Sequence, residues 1–541
     1  MTPTLAQLFA VAFALSAVGL LALVAAITRK QFGAQGAQVP FLENENDWME
    51  DPVVSPSLQR VRGSTPAAPD PEALRAREEA DLSTRSPVLA FIISATFWLV
   101  LGSVFGLIVS LKFHFPDWLS GSELFTFGRL RPLHLDTVAY GWLSMAGIGI
   151  AMWILPRVLK TRLRGGIFAT LGAGVWNLGM VLGTAALFEG WTDGLEWLEY
   201  PWPIDFLFVL AGALAAVPLL MTIPYKKVDH LYVSALYIIG ALVWFPILFF
   251  FANLPGLHYG VEHALVNWWF AHNVLGLWFT PLGLAAAYYL IPKIVGRPIY
   301  SYQLSLLGFW ALALFYSQVG VHHLIGGPVP TWVVTLSIVT SVAMIIPVFA
   351  VAVNHHMTVV GRFQALRYSP TLRFIVLGAV MYTMASFQGS LHSLRSLNTL
   401  THFTHYTIAH AHLGAYGFAS IVYFGAIYFL IPRVTGYEWP WRKMVDVHFG
   451  LIAGGFFIYF VTLSIGGLLQ GYAMLDAEQT FQDSVEAAAP WLWGRTLGGS
   501  MMVAGHLVFA SHLVAVLVRV FRSRGIPRSL PVSAPATGVS P

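Results

Sequence analysis

The sequence predicts an all-α polytopic membrane protein, with a twelve-helix core preceded by one extra N-terminal transmembrane helix. The chain of 541 residues is 57% hydrophobic and only 10% charged, and its mean hydropathy is +0.67. Apolar runs of about 20 residues recur along it, which is the length that an α-helix needs to cross a bilayer. No stretch between these runs is long enough to form a sizeable soluble domain.

The chain begins with an apolar span at about 5–27, which lacks a charged start and a cleavage motif. We predict that this segment, 1–27, is a retained anchor, with an uncleaved signal sequence as the alternative. Residues 28–86 are rich in Pro, Ala, Glu, Asp and Arg and lack periodicity, which predicts a flexible cytoplasmic loop. The core follows at 87–522, and 523–541 are predicted to be a disordered tail. The core spans are predicted at about 88–112, 131–156, 165–188, 203–223, 231–254, 264–291, 301–324, 331–353, 372–395, 401–432, 445–469 and 497–521.

Loop charges predict the orientation in the membrane. Basic residues gather in every second connection, as at 157–164, whereas opposite connections are acidic, as at 189–199. Because basic loops stay in the cytoplasm, the N-terminus is expected on the outer side of the membrane and the C-terminus on the cytoplasmic side. Arg129, Arg131 and Arg395 break this pattern on the outer side, and buried anions near that surface would explain them.

Composition excludes several classes of protein and site. The chain has no cysteine, which excludes disulfides, thiolate metal sites and covalent c-type haem within it. A redox metal must therefore use His, Met, Tyr or carboxylate ligands. The net charge of +4 does not indicate nucleic-acid binding, because the basic residues lie in short loops. A transporter is disfavoured because broken paired spans and inverted repeats are not evident.

Several histidines share one depth, in the outer third of the predicted membrane region. Six of them, on four spans, reach this depth: His134, His272, His322, His323, His410 and His412. Because helical residues are about 100° apart around the axis, His410 and His412 point to nearly opposite sides of one helix. Ionisable groups inside a bilayer are costly, and imidazole is a common ligand of iron, copper and zinc. Hydrogen bonding between helices is the alternative for each histidine alone, but it does not explain the shared depth.

The spacing of these histidines is typical of two kinds of redox site. His272, His322 and His323 form a three-imidazole set that suits copper, iron or zinc. One histidine of the 401–432 span can face this metal across a haem, and the other can pair with His134 on a second haem. A bis-imidazole haem serves electron transfer, whereas a single-imidazole haem opposite a metal leaves a gap for a diatomic ligand.

A row of polar side chains lies on the cytoplasmic side of the proposed metal. Tyr302, Ser305 and Tyr316 are spaced by 3 and 11 residues, so they share one helix face, and Thr280 and Tyr288 run along the preceding span. Such a row can relay protons through hydroxyls and water. Ordinary hydrogen bonding between helices is the equally supported alternative.

These residues lie in stretches that resemble the catalytic subunit of the haem-copper oxidase superfamily, most closely the cbb3-type cytochrome c oxidases. The similarity covers about 88–522. The matching stretches are FGRLRPLH (127–134), WPID (202–205), HNVLGLWFT (272–280), YYLIPK (288–293), RPIYSYQLS (297–305), FYSQVGVHHL (315–324), LNTLTHFTHYTIAHAHLGA (397–415) and LIPRVTG (430–436).

The resemblance implies a haem-copper oxidase core that reduces O2 to water with electrons from cytochrome c, coupled to proton uptake and pumping. It implies low-spin haem b on His134 and His412, and high-spin haem b3 on His410. It implies copper B on His272, His322 and His323. Tyr316 would be the catalytic tyrosine, cross-linked to His272.

The resemblance also implies supporting residues and partners. Arg129 and Arg131 would bind haem propionates, and Glu199 lies near the family's calcium ligand. A proton channel of the K type would use Thr280, Tyr288, Tyr302, Ser305 and Tyr316. Expected partners are c-type cytochrome subunits, a cytochrome c donor and small membrane subunits.

The sequence departs from the family pattern at several positions. Gln388 stands where a glutamate is usual, His405 replaces a common aspartate, and Gly308 replaces a histidine. The rival in the superfamily is nitric oxide reductase, whose extra glutamate ligand would fall at Gly276 and which lacks the tyrosine found here as Tyr316. A membrane b-type electron carrier or gas sensor without turnover is the hypothesis from another class, and it predicts no copper.

Overall fold

The computed structural model describes residues 71–522 except Pro255, together with eleven positions between Gln7 and Ala25. Within this part, twelve helices are long and apolar enough to cross a membrane. They are α1 (Pro71–Lys112), α2 (Phe127–Val158), α3 (Gly166–Glu189), α4 (Trp202–Tyr225), α5 (Val233–Ala252), α6 (Gly260–Val295), α7 (Tyr302–Leu324), α8 (Thr331–Val359), α9 (Pro370–His392), α10 (His405–Thr435), α11 (Lys443–Leu475) and α12 (Phe481–Arg522).

The predicted all-α fold with twelve core helices is confirmed, and no strand forms in the described residues. The described positions of the extra N-terminal span are helical, and Ser16 Oγ lies 2.6 Å from Ser317 Oγ on α7. The extent of that span remains a prediction. The predicted tail at 523–541 and most of the predicted loop lie outside the described residues.

The predicted loop at 28–86 is wrong at its end, because α1 already begins at Pro71. Residues 71–86 are rich in Ala, Glu, Leu and Arg, which favour helix, and Pro71 suits a first helical position. This extension buries Asp81, whose carboxylate accepts hydrogen bonds from Arg157 Nε at 2.6 Å and Trp153 Nε1 at 2.7 Å. Removing one partner of such a buried pair costs about 3–5 kcal/mol, so the charged extension anchors α1 to α2.

Helix α12 also begins earlier than the predicted 497, at Phe481. It packs along α11, where small residues allow the backbones to approach closely. A Cβ added at Gly455 would lie 2.7 Å from the Gly498 carbonyl oxygen. The earlier start places Arg495 inside the helix and buries it.

Three helices contain a π-helical segment directly after or close to a predicted ligand histidine. These segments are Thr137–Ser144 in α2, Leu275–Phe279 in α6 and Leu413–Ser420 in α10. Such wider turns are frequent at functional sites.

Tryptophan–serine hydrogen bonds join the three π-helical segments. Trp278 Nε1 donates to Ser144 Oγ at 3.0 Å, and Trp142 Nε1 donates to Ser420 Oγ at 2.9 Å. Each serine hydroxyl donates in turn to the carbonyl five residues before it, at 3.0 and 2.9 Å. The two hydrogen bonds therefore link α6 to α2 and α2 to α10, close to the histidines that these helices carry.

Candidate functional site

One cavity of about 530 Å³ collects the predicted site residues. Six histidines from α2, α6, α7 and α10 line it: His134, His272, His322, His323, His410 and His412. Tyr316 and Thr280 share its wall. The depth inferred from the sequence thus corresponds to one shared space in the fold.

The three histidines on α6 and α7 form the one group of at least three metal-ligand side chains found in the described residues. One nitrogen from each of His272, His322 and His323 lies within 4.8 Å of the others. Metal–nitrogen bonds of about 2.0 Å place ligand atoms less than about 4 Å apart, so small ring rotations would complete the set. Ser337 Oγ, 3.1 Å from His322 Nδ1, fixes that ring from behind.

Tyr316 lies beside this group because α7 stops being α-helical at Phe315. Its ring centre is 5.2 Å from that of His272. Gly276, one turn after His272, lies directly under the Tyr316 ring, and a Cβ there would collide with it. A glutamate at position 276 is therefore incompatible with Tyr316 in this position, which disfavours nitric oxide reductase.

His134 and His412 face each other as a matched pair. Their ring centres are 6.4 Å apart and their planes differ by 14°. Two imidazoles bound to opposite sides of one metal through bonds of about 2.0 Å would have their centres about 6 Å apart. Their Nδ1 atoms bond to the Gly102 and Ile408 carbonyls, at 2.8 and 2.9 Å, so Nε2 would be the ligand atom of each ring. The Tyr459 hydroxyl lies 3.2 Å from His412 Nε2, and a metal bound there would replace this contact.

His410 points to a different neighbour, as its spacing from His412 predicts. Its Nδ1 lies 3.1 Å from Gln388 Oε1 on α9. Because this amide oxygen can only accept, His410 donates from Nδ1 and its Nε2 is free to bind a metal. Gly389 makes room for the ring, since a Cβ there would lie 3.1 Å from His410 Cε1.

Comparisons with known proteins show the family of this chain. A family model described as "Cytochrome C and Quinol oxidase polypeptide I" matches residues 86–501. The chain belongs to this family. This oxidase subunit is 32% identical over 439 residues to "Cbb3-type cytochrome c oxidase subunit CcoN1" of Stutzerimonas stutzeri, which covers 78% of this chain and 93% of that protein.

A second relative is "Cytochrome c oxidase subunit 1" of Rhodobacter capsulatus, 32% identical over 467 residues, or 82% of this chain and 87% of the relative. A solved structure described as a heme-copper terminal oxidase dimer shares the fold, with a TM-score of 0.65 and 18% identity over 84% of this chain and 86% of that chain. The predicted terminal oxidase function is confirmed at the level of the family, which implies haem and copper as cofactors.

The two outer arginines predicted to bind propionates differ in position. Arg131 lines the cavity of the oxidase subunit and lies 3.4 Å from Glu199 Oε1. Arg129 does not line it, because it bonds to the Phe188 carbonyl and lies 3.4 Å from Glu123 Oε2. Arg131 also pairs with Glu196 Oε1 at 2.5 Å, so two carboxylates already neighbour its guanidinium. Propionate binding by either arginine stays a prediction.

Arg495 is a cavity cation that sequence reasoning missed. It is 9% exposed and lines the cavity, and its Nε and Nη1 have no hydrogen-bond partner among the described residues. A buried guanidinium without a full set of partners fits an anion such as a propionate. The sequence predicts that the last span begins at 497, which places Arg495 in a loop. Because α12 begins at Phe481, Arg495 lies inside the helix and can be buried.

The candidate calcium ligand Glu199 is 4% exposed, and its Oε2 has no hydrogen-bond partner in the described structure. Burial, with Asp136 and Glu196 close by, raises the pKa of the Glu199 carboxyl well above its usual value. Asp136 and Asp205 are buried carboxylates nearby that sequence reasoning missed. A bound cation would have to displace the proton that this environment favours.

The candidate proton-path residues do not form one continuous chain of hydroxyl hydrogen bonds. Thr280 lines the cavity, whereas the Tyr302 and Ser305 hydroxyls donate to main-chain carbonyls at 2.8 and 2.6 Å. Tyr288 lies on α6 and faces α8, where its ring centre is 4.3 Å from that of His355. His355 is buried with both ring nitrogens free of partners among the described residues, and sequence reasoning missed it.

Proposed function

We propose that this chain is the catalytic subunit of a cbb3-type oxidase that reduces O2 to water at a haem b3 and copper B centre. The observation that carries the proposal is the shared cavity, which brings a three-imidazole group, a tyrosine and two further histidine sites together. The ligand set contains only imidazole nitrogens, which suits both copper and haem iron.

The side chains would hold two haems b and one copper. His134 and His412 would hold the low-spin haem, His410 the high-spin haem, and His272, His322 and His323 the copper. When bound, these groups supply the site for O2 and the electrons that reduce it. Arg131 and Arg495 would neutralise propionates, and Glu199 would ligate calcium.

The residues of this chain would deliver a proton and an electron where O2 binds. Reducing O2 without releasing intermediates takes four electrons; bound iron and copper would supply three of them, and Tyr316 would supply the fourth. The Tyr316 hydroxyl also holds a proton that it can give to the same site. The largely apolar cavity walls would limit the entry of bulk water. Protons would then move along the row of Tyr302, Tyr288 and Thr280, with water bridging the gaps between their hydroxyls.

The surroundings of the subunit follow from the same proposal. Basic connections would face the cytoplasm of a bacterial inner membrane, with the N-terminus outside. Electrons would enter from an outer c-type cytochrome. Because this chain has no cysteine, such a haem would be attached to another polypeptide. The relative from Stutzerimonas stutzeri is named as a cbb3-type subunit, and this supports c-type cytochrome and small membrane subunits as partners.

Metal analysis tests this function. Purified oxidase should contain two haems b, one copper and one calcium per copy of this chain, and should consume O2. Copper-free protein that retains both haems and consumes no O2 after copper loading would instead support a b-type electron carrier or gas sensor. Faster consumption of nitric oxide than of O2 would contradict O2 reduction as the reaction and favour nitric oxide reduction.

The Gln388–His410 hydrogen bond gives a further prediction. Gln388→Glu should place a stronger acceptor on His410 Nδ1, which makes the imidazole a stronger donor to iron. The midpoint potential of the high-spin haem should fall by about 59 mV, the one-electron equivalent of a tenfold change, and the iron–histidine stretching frequency should rise. Redox titration and resonance Raman spectroscopy measure these quantities, and Gln303→Glu on exposed α7 surface is the control. Unchanged values would contradict the assignment of His410.

A further inference from the structure

A second tyrosine–histidine pair lies in the cavity wall, away from the three-imidazole group. The Tyr416 hydroxyl on α10 is 2.8 Å from His506 Nε2 on α12. Both residues line the cavity, and His506 is only 4% exposed. Tyr416 follows the proposed low-spin haem ligand His412 by four residues. The steps proposed above use neither Tyr416 nor His506.

The neighbouring hydrogen bonds fix where the protons of this pair lie. Ser103 Oγ is 2.6 Å from the Leu99 carbonyl oxygen, an atom that can only accept, so the serine hydrogen points there. Ser103 Oγ, 2.8 Å from His506 Nδ1, must therefore accept from Nδ1–H. His506 Nε2 then carries the lone pair, and Tyr416 donates its phenolic hydrogen to it.

This geometry makes His506 a base for the Tyr416 phenol. The 2.8 Å separation lies within the range for proton transfer to a base. Phe424 lies 5.7 Å from the His506 ring, a distance at which an aromatic ring attracts an imidazolium. The chain of hydrogen bonds ends at the Leu99 carbonyl, so a proton received by His506 has no onward acceptor and returns to Tyr416.

We propose that Tyr416 and His506 form a second redox-active site. While O2 reduction leaves the O2-reducing centre oxidised above its resting state, Tyr416 gives that centre one electron and His506 takes the phenolic proton. The O–H bond of Tyr416 breaks and an N–H bond forms at His506 Nε2. The products are a neutral tyrosyl radical and an imidazolium, and the electron reduces the O2-reducing centre. When the donor cytochrome later supplies an electron, the radical is reduced and the proton moves back.

The inference rests on the proposed function, because the oxidant is the haem centre left oxidised by O2 reduction. A turnover that starts with fewer than four electrons needs another donor in the protein. Tyr416 would meet this need on the low-spin haem side of the cavity, as Tyr316 does on the copper side. The pair would thereby limit oxidative damage to the cavity wall.

Electron paramagnetic resonance after peroxide treatment tests the pair in the full oxidase complex. The Tyr316→Phe variant removes the radical expected beside copper, so any remaining tyrosyl signal must come from another tyrosine. We expect such a signal, its loss in Tyr316→Phe/Tyr416→Phe, and an at least tenfold decrease in Tyr316→Phe/His506→Gln. Glutamine can accept the hydrogen bond but is not a base.

Tyr428→Phe in the same background is the matched control. Tyr428 also lies on α10 and bonds to a histidine, His448, at 3.1 Å, but it does not line the cavity. The signal should persist in this variant, and haem content and the low-spin spectrum should be unchanged in all of them. No tyrosyl signal in Tyr316→Phe with both haems bound, or a signal that survives Tyr416→Phe, would overturn the inference. Neither result affects the proposed function, which is tested by copper content and O2 consumption.

Discussion

Tyr316→Phe is expected to abolish O2 reduction while both haem spectra persist. The substitution removes one hydroxyl and keeps the ring that packs over Gly276, so the cavity should retain its shape. What is lost is the proton and the electron that Tyr316 supplies next to His272. Loss of a positioned proton donor alone costs about 10²–10⁴-fold in rate, and losing the electron adds to that.

O2 consumption by the purified complex, together with reduced-minus-oxidised spectra, measures this effect. Tyr423→Phe is the control, because Tyr423 is fully buried on α10 and is not part of the cavity wall. Its variant should consume O2 at the parental rate. If Tyr316→Phe retained O2 consumption, Tyr316 could not be the donor and the proposed electron count would be wrong.

His412→Ala and His410→Ala should remove different haem signals, although the two residues are separated by one position. His412 stands opposite His134 at a ring distance of 6.4 Å, so its loss should remove the low-spin spectrum. A haem that binds carbon monoxide should remain. His410 is turned towards Gln388, and its loss should remove the carbon-monoxide-binding haem and leave the low-spin spectrum.

Optical spectra with and without carbon monoxide distinguish these outcomes. His405→Ala on the same helix is the control and should keep both signals, since His405 does not line the cavity. The reverse pattern, with the low-spin signal lost in His410→Ala, would exchange the two haem assignments. Loss of both signals in either variant would show that the two haem sites do not assemble independently.

Much of this arrangement could be predicted from the sequence because depth in a membrane follows from distance along a span. That relation places the six histidines at one depth, and in the structure they line one cavity. The rotation of about 100° per helical residue predicts that His410 and His412 point in different directions. Depth also places Tyr316 near the proposed metal, because Tyr316 and His322 lie close together along α7. The twelve core helices follow from apolar length alone.

Contacts between side chains on different helices could not be predicted in this way. Arg495 and His506 lie on α12 with no ligand-like spacing, and their positions depend on how α12 packs against the other helices. Asp81 lies in a charged stretch without apolar periodicity, so its helix was missed. His355 approaches Tyr288 from a different helix, which no pattern within one span reveals.

The hydrogen bonds between the π-helical segments bear on how fast electrons can cross the subunit. Tunnelling rates fall exponentially with the gap between donor and acceptor, so a fluctuation of a few ångströms would change them by orders of magnitude. Because Trp278 ties α6 to α2 and Trp142 ties α2 to α10, the three helices cannot slide or rotate separately without breaking an indole bond. In the proposed arrangement of two haems, these hydrogen bonds would keep the tunnelling distance constant.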